Sequence, residues 1–201
     1  MSSPPRATIG AEPRLVLASA SPRRAHILRS LGVPFRVVVT DVDETLLEDE
    51  DAALAAERLA RAKADCGLRS ESLPVVAADT LVVCDGRILG KPRSPADAAS
   101  MLRLLAGRTH DVVTGLCVAT GALRRSAVER TAVTFAALTD AEIDWYVASG
   151  EPLDKAGAYH VDGRGSLFVA SIDGSPSNVA GLPVRLLLRL ARETGLELGP
   201  P

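Results

Sequence analysis

The sequence predicts an α/β fold built on a sheet of mixed strand direction. Short β-favouring apolar runs alternate with amphipathic helical stretches along the chain. Tight-turn signals, Asp85-Gly86 above all, join neighbouring β runs as hairpins. No internal repeat and no low-complexity linker divides the 201 residues, so one unit accounts for them.

Leu15 to Ala18 reads as a first strand that stops at Ser19-Ala20-Ser21-Pro22. Ser21 then serves as N-cap, Pro22 as the first helical residue and Gly32 as the stop of a helix with Ile27, Leu28 and Leu31 on its apolar side. A strand over Phe35 to Val39 runs into the acidic stretch Asp41 to Asp51. An Ala-rich helix follows, roughly Ala52 to Cys66, with Leu54 and Leu59 on its apolar side. Val75 to Ala78 and Leu81 to Cys84 read as strands that break at Asp79. Ser94-Pro95 opens a helix with Asp97 at its positive end and Met101, Leu102 and Leu105 as its stripe. Two strands follow, Val112 to Ala119 and one ending near Phe135, joined at Thr120-Gly121. Thr139 to Glu142 is a capping box for a helix that ends at Ser149-Gly150. Glu151 to Pro183 reads as loops around a strand near Leu167 to Ile172, and Pro183 to Thr194 as a closing helix.

Composition excludes several function classes. The 25 acidic and 23 basic residues leave a net charge of -2, without the electropositive surface that nucleic-acid or polybasic membrane binding needs. The longest stretch free of charge, Val112 to Leu123, is shorter than the ~18 residues of a spanning helix. Met1 to Pro13 lacks the apolar run of a secretory signal, so a frayed tail and a cytoplasmic protein are expected, with the folded unit over residues 14–196. Cys66, Cys84 and Cys117 show neither disulfide nor zinc spacing. His26, His110 and His160 are scattered and read as surface or structural histidines.

The first helix carries Arg23 and Arg24 in its first turn, beside a partial positive charge, with no carboxylate there. With the hydroxyls of Ser19 and Ser21, this describes either a phosphate cradle or a solvated arginine pair on a capped helix. Asp79 sits inside Val-Val-Ala-Ala-Asp-Thr-Leu-Val-Val, where a carboxylate has to be paired, bind a metal or shift its pKa. It is a candidate general base or metal ligand, and a turn-capping carboxylate beside Thr80 is the competing reading. Glu48 to Asp51 look solvated, whereas Asp43 and Glu44 follow a strand and suit Mg²⁺. Only three of the basic residues are lysines, Lys63, Lys91 and Lys155, so these mark places where an ammonium is wanted; the plainer readings are surface lysines and, beside Asp154, an exposed ion pair.

Leu-Val-Leu-Ala-Ser-Ala-Ser-Pro-Arg-Arg (Leu15 to Arg24), Asp-Val-Asp-Glu (Asp41 to Glu44), Ala-Ala-Asp-Thr (Ala77 to Thr80), Gly-Lys-Pro (Gly90 to Pro92) and Asp-Lys-Ala-Gly-Ala-Tyr (Asp154 to Tyr159) together resemble the Maf family of nucleoside triphosphate pyrophosphatases. The resemblance implies a two-lobed fold similar to the inosine-triphosphate pyrophosphatases, with a central cleft. It implies a hydrolase of acid anhydrides that cuts a nucleoside triphosphate to the monophosphate and pyrophosphate with a divalent cation, Mg²⁺ or Mn²⁺. The family's phosphate-site residues fall on Ser19, Arg23, Arg24, Lys63 and Lys91, its metal-site acid on Glu44, and its catalytic aspartate, also a metal ligand, on Asp79.

Three positions bear on the base. The branch similar to dTTP/UTP pyrophosphatases has Arg, Thr and the Gln of Tyr-Gly-Ile-Gln-Gly; the branch similar to 7-methyl-GTP pyrophosphatases has Trp, Gln and Glu. This chain has Arg23, Thr80 and Asp162. The first two follow the pyrimidine branch and Asp162 departs from it, because a carboxylate accepts hydrogen bonds where an amide also donates. The resemblance thus implies dTTP, UTP or modified nucleotides as expected substrates, with Asp162 leaving room for a different or broader set, in nucleotide house-cleaning or control of cell division. A regulator of septum formation that binds a triphosphate without hydrolysing it is the alternative, and a homodimer stays open.

Overall fold

The structure, a computed structural model, describes residues 12–70, 72–121 and 123–198. The expected tail over Met1–Pro13 lies outside the described residues except for its last two positions. The elements run β1 (Leu15–Ala18), α1 (Pro22–Ser30), β2 (Phe35–Val38), α2 (Ala52–Ser70), β3 (Val75–Cys84), β4 (Arg87–Leu89), α3 (Pro95–Leu105), β5 (Thr109–Ala119), β6 (Arg124–Phe135), α4 (Asp140–Ala148), β7 (Val169–Asp173), α5 (Pro176–Val179) and α6 (Val184–Thr194). Among the described residues no helix is long and apolar enough to cross a membrane.

The strands form one sheet in the order β2-β1-β3-β5-β6-β7, with β4 paired to β3. β2, β1 and β3 are parallel, and the remaining pairings are antiparallel, as the mixed reading requires. Side-chain alternation divides the first half into two layers. Leu15, Leu17, Val76, Ala78, Leu116 and Val118 meet α1 and α6 on one face. Val16, Ala18, Val75, Ala77 and Cys117 meet α2 on the other. Around Val82, Phe135 and Tyr146 a further core packs under α3 and α4.

Three expectations are corrected. β3 does not break at Asp79 but continues through it, because Asp79 pairs with Gly115 in the ladder and its charge is met from α2. α2 extends to Ser70, and its buried face is Ala52, Ala55, Ala56, Leu59, Ala60, Lys63, Ala64 and Gly67, a spacing of three and four. Leu54 is 64% exposed, since five residues along a helix turn it well away from Leu59. The last strand begins at Val169, with Leu167 exposed on a preceding 3₁₀ turn.

Gly115 sets how closely α2 approaches the sheet. A Cβ there would lie 2.1 Å from the backbone oxygen of Ala56. The alanine variant must push α2 outward, so Gly115→Ala is expected to cost about 1–3 kcal/mol in urea unfolding and to draw Lys63 off Asp79. An unchanged midpoint would show that α2 is not pinned there.

Four of the six aromatic side chains gather with His110 in the second core, edge to face, at 4.8 Å for Phe135 and Tyr159. His110 is 2% exposed, and its Nε2 lies 3.0 Å from the Tyr159 hydroxyl. Burial pushes its pKa down from 6.5 to about 4, against a smaller opposing effect of Asp111. The unfolded chain therefore takes up this proton near pH 6.5 and the native state only near 4. Stability is full above pH 6.5 and falls by up to about 3 kcal/mol as the pH drops to 4. Urea unfolding at pH 7 and pH 4.5 should show this loss in the wild type and a smaller one in His110→Gln.

Candidate active site

β3 has a gap along one edge. β5 covers the other edge from Val75 to Val83, whereas on this side β1 pairs only with Val75 and Val76, and β4 begins at Val82. Among the described residues no strand pairs with 77–81 on that edge. The gap lies where the chain order reverses. α1 leads from β1 outward to β2 over one face, and α2 returns over the other to β3, the arrangement that opens a crevice beyond strand ends in α/β sheets. A cleft of about 610 Å³ occupies it, within the usual size of ligand sites.

Asp79 and Thr80 lie at the centre of the gap and, being adjacent in a strand, address opposite faces. Asp79 continues the row Val75, Ala77 that meets α2. One helix turn beyond the Ala60 position, Lys63 brings its Nζ to 2.5 Å from Asp79 Oδ1 and 2.6 Å from Glu44 Oε1. The ammonium thus lies between two carboxylates. Burial raises the Glu44 pKa, but the hydrogen bond and charge of Lys63, helped by Lys91 and Arg24, outweigh it and hold the carboxyl below its usual value. Asp43 turns away, accepting from the Thr45 amide at 2.9 Å.

On the other face, the α1 N-terminus supplies Ser19, Ser21, Arg23 and Arg24 to the cleft. The two arginines differ. Arg24 is buried, its Nε 2.7 Å from the Gly181 carbonyl and its terminal nitrogens 3.0 Å from Ser19 Oγ and from Thr80 Oγ1. Arg23 is half-buried; burial lowers its pKa, and Asp154 and then Asp162 act against that.

The remaining wall comes from the segment after α4, where Asp154, Lys155, Tyr159 and His160 line the cleft. Gly157 (φ 68) and Ala158 (φ 60) place two successive residues in the left-handed region. A Cβ at Gly157 would lie 2.9 Å from Val82, so glycine is needed there for space as well as for φ. Lys155 corrects an expectation: its side chain is 13% exposed while it meets Asp154, so it is a wall of the cleft rather than half of a surface pair.

The cleft brings together Ser19, Arg23, Arg24, Glu44, Lys63, Asp79, Thr80 and Lys91 from distant parts of the chain, and all three lysines line it. It does not include Asp162, which is exposed and acts on it only as a charge near Arg23. His160, expected as a surface or structural histidine, instead lines the cleft. Its signal was its place directly after Tyr159, at the end of the Asp-Lys-Ala-Gly-Ala-Tyr motif. Burial, then the charges of Arg23 and Lys155, push its pKa below the usual value, so at pH 7 the ring is neutral and offers one donor and one acceptor. Among the described residues no three His, Cys, Asp or Glu side chains converge as a metal cluster. Glu44 and Asp79 nonetheless present hard oxygen donors to one point where a cation already lies, a donor set that suits Mg²⁺ or Mn²⁺ with phosphate and water completing its shell.

A protein named dTTP/UTP pyrophosphatase from Anaeromyxobacter dehalogenans is 49% identical over 193 residues, 92% of this chain and 96% of its own. One of the same name from Moorella thermoacetica is 53% identical over 176 residues, 85% and 90% of the two chains. The solved structure of the Staphylococcus aureus Ham1 protein shares the fold, with a TM-score of 0.52 at 16% identity over 89% of this chain and 98% of that one. The model of the family described as Maf-like protein matches residues 14–194, and on that match and these identities the chain belongs to the Maf-like family.

Proposed function

We propose that this chain is a hydrolase that cuts nucleoside triphosphates to the monophosphate and pyrophosphate, with dTTP and UTP as its first substrates, as the names of its relatives suggest. The observation that carries the reading is the buried Asp79 carboxylate, held by Lys63 at the centre of a cleft that also presents Arg23, Lys91 and the α1 N-terminus. A regulator that only bound a triphosphate would have no use for a general base beside its phosphates. Cytoplasmic action on free nucleotides, with neither nucleic acid nor membrane as partner, belongs to the same proposal, as does a single folded unit over residues 14–196.

Arg23, Lys63 and Lys91 bind the phosphates and take up the charge that gathers on the departing pyrophosphate, with the partial positive charge of the α1 N-terminus beside Arg23. Asp79 orients the attacking water and accepts its proton as the water oxygen bonds to the α-phosphorus and the bridging bond to the β-phosphate breaks. Glu44 and Asp79 would hold the divalent cation, which when bound neutralises phosphate charge. Asp79→Asn should fold as the wild type does by circular dichroism and lose pyrophosphate release by about 10²-fold or more; full activity would remove Asp79 from this role.

Base choice falls to the groups that line the cleft. His160, neutral and able both to donate and to accept, supplies what Asp162 lacks, while Asp162 tempers the charge of Arg23. A panel of canonical and modified triphosphates, assayed for pyrophosphate release with Mg²⁺ and with Mn²⁺, should change its ranking in His160→Gly and keep it in Asp162→Gln. The reverse pattern would return base reading to Asp162.

A further inference from the structure

Beneath the cleft, two buried polar residues play no part in the mechanism above. Thr114 and Asn178 are both 0% exposed. Thr114 faces Thr80 across the β3–β5 ladder, their hydroxyl oxygens 3.0 Å apart, on the face opposite Asp79. The direction of that bond follows from its neighbours. A guanidinium only donates, so Thr80 Oγ1 accepts from Arg24. A carbonyl only accepts, so the single proton of Thr114 goes to the backbone carbonyl of Asn178 at 3.3 Å. Between the two threonines, Thr80 must therefore be the donor.

The far end of this chain is anchored. The Asn178 side-chain amide donates to the Val112 carbonyl at 3.0 Å and to Thr131 Oγ1 at 2.9 Å. Three residues on, the Gly181 carbonyl takes the Nε of Arg24. Arg24 is thus tied twice to this part of the chain, directly to the α5–α6 connection at Gly181 and through two threonines to α5 at Asn178. Its remaining contact falls on Ser19 Oγ, which also accepts from the Ser21 amide at 3.2 Å. With two donors already on its oxygen, the hydroxyl of Ser19 has its own proton left to give to the cleft.

We infer that Thr114 and Asn178 are positioning residues. They direct a one-way hydrogen-bond relay, Arg24 to Thr80 to Thr114 to Asn178, that fixes Arg24 and so presents Ser19 as a hydrogen-bond donor to a substrate phosphate. This rests on the hydrolase reading above. It also commits the Thr80 proton inward, so that this hydroxyl has none to donate to a base.

The test is Thr114→Val, which keeps the shape and removes one hydroxyl. Loss of one buried hydrogen bond at this point should lower kcat about tenfold for UTP and GTP alike, with KM little changed, and Thr114→Ser should restore it. Thr80→Val should give a similar loss, and the double variant should lose no more than either single one. A readout independent of turnover is solvent exchange of the Arg24 Nε–H, assigned by its absence in Arg24→Lys. It should be slow in the wild type and in Thr114→Ser and at least about tenfold faster in Thr114→Val. Unchanged exchange, additive losses or a shift in nucleotide ranking would overturn the relay. A wild type that releases no pyrophosphate would overturn the hydrolase reading instead, and the exchange rates would still decide the relay. If Thr114→Val does not fold, Thr80→Val decides by the same exchange and ranking.

Discussion

A carboxylate buried in the middle of a β-strand is the constraint on which this structure turns. Taken out of water without a partner, Asp79 would cost several kcal/mol, more than most single contacts return. Its partner comes from α2, where Lys63 replaces one residue in an otherwise Ala-rich buried face. An ammonium at 2.5 Å requires the helix axis to come close, and the sheet allows this because the residue opposite Asp79 in the ladder is Gly115. The small side chains of α2, the missing side chain at 115 and the ion pair are therefore one arrangement. Enlarging any of its parts moves Lys63 off its carboxylate.

The same strand serves the opposite face. Alternation turns Thr80 toward α1 as surely as it turns Asp79 toward α2, so one dipeptide joins the helix that carries Lys63 to the helix that carries Arg24. β1 is only four residues long and leaves that dipeptide uncovered along one edge. The cleft follows from a short strand beside a long one, at the point where the chain order reverses. No single element contains a complete site, and the Lys155 to His160 segment, beyond α4 in the chain, closes it through a backbone that adopts positive φ at Gly157 and Ala158.

Local pattern carried much of this. The stop at Ser19-Ala20-Ser21-Pro22, the capping box at Thr139 and the apolar runs of β1 and β5 follow from residues within a few positions of one another. The lysine count carried more than its size suggests, since Lys63, Lys91 and Lys155 lie far apart in sequence and all line the cleft. What could not be read depends on separations of tens of residues. Asp79 looked like a strand break because its partner is 16 residues away on another element. Leu54 looked buried because it is apolar, while the spacing of Ala52, Ala55, Ala56 and Leu59 was the better guide. Thr114 and Asn178 carried no signal, being 64 residues apart and ordinary in type.

The near-neutral balance of the chain, -2 overall, proves compatible with a polyanion site because charge is placed rather than accumulated. Arg23, Arg24, Lys63, Lys91 and Lys155 meet in one cleft, and left to themselves they would repel. Glu44 and Asp79 offset Lys63, and Asp154 meets Lys155 and acts on Arg23. Arg24 is treated differently: three neutral acceptors hold it with no counter-ion in direct contact, and burial lowers its pKa against the opposing charge of Asp79. A cation fixed by dipoles loses none of its field to a paired carboxylate and need not reorganise when an anion arrives, which is the condition under which preorganised charge stabilises a transition state.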